Sequence, residues 1–539
     1  MAFIKSQKIV RDESGNITSG SAAIVDTKYG DFGNYHAKHT VREKLGKVIW
    51  LNSDKKSGIF LSPTRGLVEY NAQTDTFSPV GKDDSRLKRA DIFPDTQIHT
   101  VFGDTFLLLE FLKKASLLSA LRSAFPKNQD YERVLCHVLH GVLKDGSKIS
   151  CDNFIEKSFA SYVLDDIPES TLRCDTRFFS LMGEDDTRMA FFRNFVKVMQ
   201  DSDPAFGKAC YVDSTPLPND IEDNPFNALS CHGVSASDVM VRLVLVLDEA
   251  TGLPVWYDII PGNVLDINTI MNVVNDVADS LGIVIDSLVL DAGYISKDLV
   301  GAFHIGTEKT LIGRMPARKG YPYKELYWEV KPIIGKGKYS FVRKHHVYFG
   351  HRKDITLFDQ KEYAYIYVDQ YNALKKYSDY LVNHPDEFEA LKDRDKDWLT
   401  VKFGYFVLVS NIDTTPEKLL TDYFGRCEIE TVFKTSKEYL ELLPISKWTD
   451  LTVRGKILHD IIDTIVVLLL RKEMDNSGIS TSELYGKTQS LMCFRNSAGT
   501  VTVETPSKQV KQYYNLIHTD VPAHVEIASF KKGILDAAM

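Results

Sequence analysis

Two short apolar runs constrain this chain most, because each closes on an aspartate and the sequence between them holds a hairpin and a helix. Ala209-Cys-Tyr-Val-Asp213-Ser-Thr-Pro216 reads as a strand that breaks at Pro216 and leaves Asp213 near its end. Val239 to Leu247 predicts a second strand, and the Asp-Glu-Ala-Thr-Gly-Leu turn returns the chain into Val255 to Ile260. Gly262-Asn263 leads into a predicted helix from about Asp266 to Leu281, with Ile267, Ile270, Val273, Val274 and Val277 on one side. Ser287-Leu-Val-Leu-Asp291-Ala-Gly-Tyr294 then predicts an apolar strand ending on Asp291. Strand, crossover helix and strand make a βαβ unit, and open α/β sheets place their sites at the carboxyl ends of such strands. Taken singly, either aspartate is ordinarily a helix cap or a turn former.

A third acidic residue stands far downstream. Gly404 to Asn411 predicts a buried strand, and Asp413-Thr-Thr-Pro416-Glu417 is a helix start, with a Thr cap, Glu three residues on and Pro in the first turn. If one helix runs through Tyr423 to Lys437, its pitch brings Tyr423, Arg426, Glu430 and Lys437 within roughly 60° of one another around the axis. A phenol, a guanidinium, a carboxylate and an ammonium on one stripe suit a phosphate, and an ordinary salt-bridged amphipathic helix is the plain alternative.

With all three stretches in view, the chain resembles bacterial insertion-sequence transposases of the DDE class, which use a ribonuclease H-like fold. Tyr-x2-Arg-x3-Glu-x6-Lys after a strand ending in Ser-Asn is similar to that family's third acidic region, and Asp213-Ser-Thr and Asp291-x-Gly-Tyr are similar to its first and second. The resemblance is specific over residues 206–314 and 404–445. It implies catalytic, metal-binding roles for Asp213, Asp291 and Glu430, and DNA contacts by Tyr423, Arg426 and Lys437, joined by Lys434 one turn after Glu430. The implied activity is metal-dependent cleavage at the ends of a transposable element and transfer of the freed 3′-hydroxyl into target DNA. The implied cofactor is Mg²⁺, as two ions, with Mn²⁺ as a substitute. The implied partners are terminal inverted repeats, target DNA and a second copy of the chain. Carboxylates from separate elements suit Mg²⁺, which retains waters and needs few protein ligands. Two ions about 3.5–4 Å apart activate the attacking oxygen and stabilise the leaving one.

Two rival readings share these residues. One is a ribonuclease H-like nuclease without strand transfer. The other is an inactive, domesticated DNA-binding protein, against which the retention of every motif residue speaks.

The remaining sequence sets limits. At 539 residues and 61.0 kDa the chain exceeds one hydrophobic core, so about three or four units are expected. The longest apolar run, Ile465 to Leu470, falls well short of the roughly 18 residues that span a bilayer, and Met1-Ala-Phe-Ile-Lys starts no leader, so a cytoplasmic protein is expected. Seven cysteines without CxxC pairing read as reduced thiols, and Cys136, His137 and His140 as core and surface residues of one helix. A net charge of −8 weighs mildly against nucleic acid, although local patches decide such binding.

The fold class expected is α/β within a multidomain α+β chain: a ribonuclease H-like mixed sheet with a β-rich insertion, preceded by β-rich and helical modules. Residues 1–95 read as a β-rich module, with a hairpin of Lys8 to Arg11 and Ala22 to Val25 about a Glu-Ser-Gly-Asn turn, and strands at Lys47 to Leu51, Gly58 to Leu61 and Gly66 to Tyr70. Lys55, Lys56 and Arg65 there read as solvated turn charges or DNA contacts, and Arg86 to Arg89 as a linker. Residues 96–205 read as a helical module, with helices at Phe106 to Leu121, Tyr131 to Leu143, Cys151 to Leu164 and Thr187 to Gln200. Its uses are DNA-end binding or plain packing. Residues 206–314 and 404–445 form the expected catalytic core, and 315–403 the insertion. In the insertion, aromatic residues alternate with cations around Arg343 and Lys344, a pattern that suits a phosphate backbone. Trp328 reads either as core or, by resemblance, as an aromatic that holds a flipped base. Residues 446–539 read as a helical region with dimer contacts among its uses; its long helix, Val453 to Lys472, is expected to carry His459, Asp460 and Asp463 on a polar side with no role.

Overall fold

The structure is a computed structural model. It describes residues 2–11, 17–28, 38–62, 65–80, 84, 86–87, 99–144, 150–164, 176–219, 221, 224–229, 239–264, 266–291, 294–304, 309–435, 445–474, 477–496 and 499–536. Two compact units divide the chain, Met1–His99 and Thr100–Met539.

The first unit is an antiparallel sheet whose strands follow chain order: β1 (Ala2–Arg11), β2 (Ile17–Lys28), β3 (Lys38–Leu51), β4 (Ser57–Ser62), β5 (Gly66–Asn71) and β6 (Thr76–Pro79). Ile4, Ile24, Leu45, Val48, Phe60 and Tyr70 form its core. The expected hairpin is β1 with β2, and its turn lies outside the described residues. Arg65 differs from a solvated turn charge: it forks onto Glu43 and lies 4.2 Å from the centre of the Phe77 ring. Arg86 likewise pairs with Glu69 and Asp84; Lys88 and Arg89 lie outside the described residues.

The second unit opens with β7 (Thr100–Val101) and then helices α1 (Gly103–Lys114), α2 (Leu117–Ala124), α3 (Asn128–Leu143), α4 (Cys151–Glu156), α5 (Ala160–Val163), α6 (Thr176–Gly183) and α7 (Asp185–Ser202). The helix expected from Phe106 to Leu121 is two helices, because Ser116 adopts a left-handed φ of 55° and turns the chain. The helix expected from Cys151 to Leu164 is also broken, since the backbone at Lys157 and Phe159 bonds to Val101 instead of continuing the helical ladder. Strands β18 (Met492–Arg495), β19 (Thr500–Val503) and β20 (His524–Glu526) complete a small sheet with β7, so the two ends of this unit are hydrogen-bonded together.

In the main sheet β8 (Ala209–Pro218) is the third strand from one edge. On one side lie β10 (Val239–Asp248) and β11 (Pro254–Pro261), antiparallel, with the short β9 (Ala228–Leu229) paired to β10; on the other lie β12 (Ser287–Leu290) and β13 (Thr310–Arg314), parallel to β8. Helix α8 (Asp266–Leu281) makes the crossover to β12, and α9 (Lys297–His304) the crossover to β13. The order β11-β10-β8-β12-β13 is that of a ribonuclease H-like core. Beyond β13 the sheet continues antiparallel through β17 (Tyr405–Ser410), β16 (Gln360–Asp369), β15 (His346–Leu357) and β14 (Ser340–Arg343). The sequence inserted before β17 therefore widens the same sheet, and it also supplies helices α10 (Tyr327–Val330), α11 (Gln370–Asn383), α12 (Pro385–Glu389) and α13 (Asp393–Lys402). Helices α14 (Pro416–Gly425) and α15 (Cys427–Lys434) follow β17, and α15 packs on β8. The long helix α16 (Asp450–Glu473) packs against α6 and α3. Among the described residues, no helix is long and apolar enough to cross a membrane.

Candidate active site

Strand register assembles the site. Leu290 of β12 stands opposite Val212 of β8 on one side and Gly313 of β13 on the other. The residues that follow are Asp213, Asp291 and Arg314, side by side. Asp291 just past β12 and Arg314 last in β13 lie at carboxyl ends, where open α/β sheets hold ligands. The expected strand break at Pro216 is corrected, since β8 continues past Asp213 to Pro218 by pairing with β10. Tyr211 and Asp213 share one face of β8, being two apart, and that face receives α15.

The approach is close because of Gly425. A Cβ there would collide with the Tyr211 hydroxyl, so glycine lets the joint between α14 and α15 settle onto β8. Thr415 caps α14 by accepting from the Lys418 N–H, with Pro416 in the first turn, as the sequence implies. The expected single helix from Tyr423 to Lys437 is corrected: α14 ends at Gly425, and α15 restarts at Cys427. Arg426 occupies the joint.

From there the Arg426 guanidinium reaches both carboxylates, its Nη1 2.5 Å from Asp213 Oδ2 and its Nη2 3.7 Å from Asp291 Oδ2. The Tyr423 hydroxyl donates to Asp291 Oδ1 at 3.1 Å, and the Ser214 N–H donates to Asp213 Oδ1 at 2.8 Å. Burial, then the Asp291 charge, pushes the Tyr423 phenol well above its ordinary value, so it stays a donor. Burial opposes the Arg426 charge, but Tyr423, Asp291 and Asp213 outweigh it and hold the guanidinium charged. The side chains of Asp213 and Asp291 are 20% and 39% exposed, so solutes can reach their oxygens.

Glu430 lies on α15 one turn beyond Arg426, with its side chain exposed. It does not close tightly on the two aspartates: among the described residues, the only trio of His, Cys, Asp or Glu with donor atoms all within 4.8 Å of one another is His459, Asp460 and Asp463. Lys434 ends α15 and is exposed; Lys437 lies outside the described residues. Lys344 and His345, both at positive φ, form the two-residue turn between β14 and β15, and Arg343 at its start lies over the Phe424 ring, 4.6 Å from the centroid. The hairpin tip thus touches the residue after Tyr423. Trp328 on α10 is 38% exposed, with Arg394 and Lys331 4.8 and 5.4 Å from its ring centre, so it is not a core residue.

Arg314 is the residue that motif spacing missed. Its charge acts on Tyr423 and Tyr323, and its guanidinium lies 5.4 Å from the centre of the Phe406 ring. A signal was present: Arg314 closes the apolar run from Thr310 just as Asp291 closes the run from Ser287.

The residues present fit a divalent cation. Asp213 and Asp291 offer hard, partly exposed oxygens from neighbouring strands, and a guanidinium already occupies the position between them as a seat for positive charge. His459, Asp460 and Asp463 differ from the polar-side residues expected, being almost wholly buried. His140 and His137 are also buried, not at the surface.

No curated protein matches the chain. A solved structure of a piggyBac transposase synaptic complex with hairpin DNA is similar over 69% of this chain and 79% of its own, at 10% identity and a TM-score of 0.35, a likeness too loose to carry an argument. Residues 207–450, the stretch that supplies Asp213, Asp291, Arg314, Tyr423, Arg426 and Glu430, match the family model of the transposase DDE domain.

Proposed function

We propose that this protein is a DNA transposase that cuts phosphodiester bonds at the ends of its own element and joins the freed 3′-hydroxyl to target DNA. The observation that carries this reading is the pair of aspartates side by side on β8 and at the end of β12, bridged by Arg426, inside the stretch that matches a transposase DDE domain. Divalent cations held by Asp213 and Asp291, with Glu430 as a further ligand from α15, supply Lewis acidity at the phosphorus. The Ser214 N–H fixes one oxygen of Asp213, and the Tyr423 hydroxyl fixes one oxygen of Asp291, so both carboxylates are oriented before substrate arrives. Arg314 and Arg426 meet phosphoryl oxygens, the latter through its planar fork. Arg343, Lys344, Lys434 and Lys437 follow the backbone outward, and exposed Trp328 between two cations offers a stacking face.

The division of labour is part of the proposal. Residues 206–314 and 404–445 carry the chemistry, 315–403 flank the DNA, 96–205 bind the element end, and 446–539 supply dimer contacts. Two element ends are paired by two copies of the chain. Phosphate contacts of this kind make binding fall steeply with salt.

The test is a cleavage and joining assay on DNA carrying the element's ends, with Mg²⁺ or Mn²⁺. Asp213→Ala, Asp291→Ala and Glu430→Ala are expected to abolish cutting while end binding persists; cutting near the wild-type rate removes that residue from the site. Cleavage without joined product identifies a nuclease in place of a transposase, and binding without either identifies a DNA-binding protein.

A further inference from the structure

We propose that Arg426 is the resident counter-ion of the acidic pair, and that a divalent cation and the Arg426 guanidinium compete for the same carboxylate oxygens. Cation binding then releases Arg426 to an arriving phosphate. The inference rests on the reading of Asp213 and Asp291 as cation ligands given above.

The geometry argues for competition. Two carboxylates on adjacent parallel strands repel each other, and Arg426 spans them with two different nitrogens, toward Asp213 Oδ2 and Asp291 Oδ2. The other oxygen of each carboxylate is already engaged, by the Ser214 N–H and the Tyr423 hydroxyl. A cation that draws on both aspartates therefore meets the two oxygens that Arg426 holds, and two positive groups at one seat exclude each other.

The guanidinium is also incompletely used. Its Nε is buried with no hydrogen-bond partner among the described residues, although a guanidinium has five donors to place. An incoming phosphate offers the bidentate acceptor that the two separated carboxylates do not. Release needs little rearrangement of the backbone. Arg426 sits between the end of α14 at Gly425 and the start of α15 at Cys427, so its side chain can turn without unwinding either helix. Competition of this kind lowers cation affinity by the fraction of molecules in which Arg426 occupies the seat. It keeps the carboxylates partly neutralised until a cation arrives.

The test uses the full chain without DNA, titrated with Mn²⁺ and followed by the resonance signal of the free ion, together with melting curves. Arg426→Gln is expected to bind Mn²⁺ about tenfold tighter than wild type, roughly 1.4 kcal/mol. It is also expected to melt lower than wild type without the ion and to recover most of that gap when Mn²⁺ is added. Arg426→Lys keeps a charge but cannot fork onto both aspartates, and about a threefold gain is expected from it. Unchanged or weaker Mn²⁺ binding in both variants, or in whichever one folds, overturns the proposal. Asp213→Asn separates this failure from that of the underlying reading: if Mn²⁺ binding survives Asp213→Asn undiminished, the cation site itself is misplaced.

Discussion

The chain contains two gatherings of carboxylates and cations, and they are built in opposite ways. At the edge of the main sheet, Asp213, Asp291 and Arg426 come from elements far apart in sequence and remain partly open to solvent. On α16, Lys456, His459, Asp460 and Asp463 come from two turns of one helix and are almost wholly buried. There the Lys456 ammonium lies 2.7 Å from Asp460, and His459 Nδ1 lies 3.2 Å from both Asp460 and Asp463. The buried group has the tighter donor geometry for an ion. It also has its own cation on Asp460, and it is sealed against α3, where Gly141 leaves space for the Asp463 carboxylate. The comparison shows that proximity of ligand atoms is a poor guide to chemistry by itself. A reacting site needs atoms that solvent and substrate can reach, whereas a buried network is shut off from both.

That contrast can be broken experimentally, and the largest effect is expected at the sheet edge. Asp213→Ala should lower cleavage by about a thousandfold or more, roughly 4 kcal/mol of activation free energy, with little change in unfolding midpoint. Equal losses of activity and stability would erase the distinction. On α16 the order reverses. Asp460→Ala leaves Lys456 and His459 without their shared carboxylate, so a loss of about 3–5 kcal/mol in denaturant unfolding is expected, with cleavage per folded molecule unchanged. Smaller again is Gly141→Ala, which forces a methyl group against Asp463 and should cost about 1–3 kcal/mol of stability without altering Mn²⁺ binding. The smallest effect sharpens the geometry of the sheet edge. Gly425→Ala should lower cleavage about fivefold, roughly 1 kcal/mol, by lifting the helix joint from Tyr211, and Tyr211→Phe in the same chain should restore part of it; no restoration would show that the hydroxyl is not the obstacle.

Local sequence was readable where local physics sets the outcome. The apolar run closing on Asp291, the β10–β11 hairpin, the crossover helix and the Thr415-Pro416 helix start stand where periodicity and turn residues place them, whereas Asp213 lies inside β8, which pairing with β10 carries past Pro216. The breaks were not readable. Ser116 interrupts a run with good helical periodicity, and the joint at Arg426 interrupts the stripe from Tyr423 to Glu430, in each case through backbone geometry that contacts elsewhere stabilise. Burial of His459, Asp460 and Asp463 was hidden for a related reason. Polar residues on an otherwise apolar helix signal a wet face unless partners are known, and here those partners are each other, Lys456 and the packing of α3 and α6.

By itself the sequence determined that Asp291 follows an apolar strand and that a Thr-capped helix starts at Pro416, because apolar runs and helix caps follow from neighbours a few positions away. Only the tertiary structure decided that Asp213, Asp291 and Arg314 stand on one rung, since the pairing of β8, β12 and β13 is set by crossovers and by the packing of whole layers. It also decided that Arg426 turns toward the carboxylates, because the charge it answers comes from two strands that no local spacing connects to it.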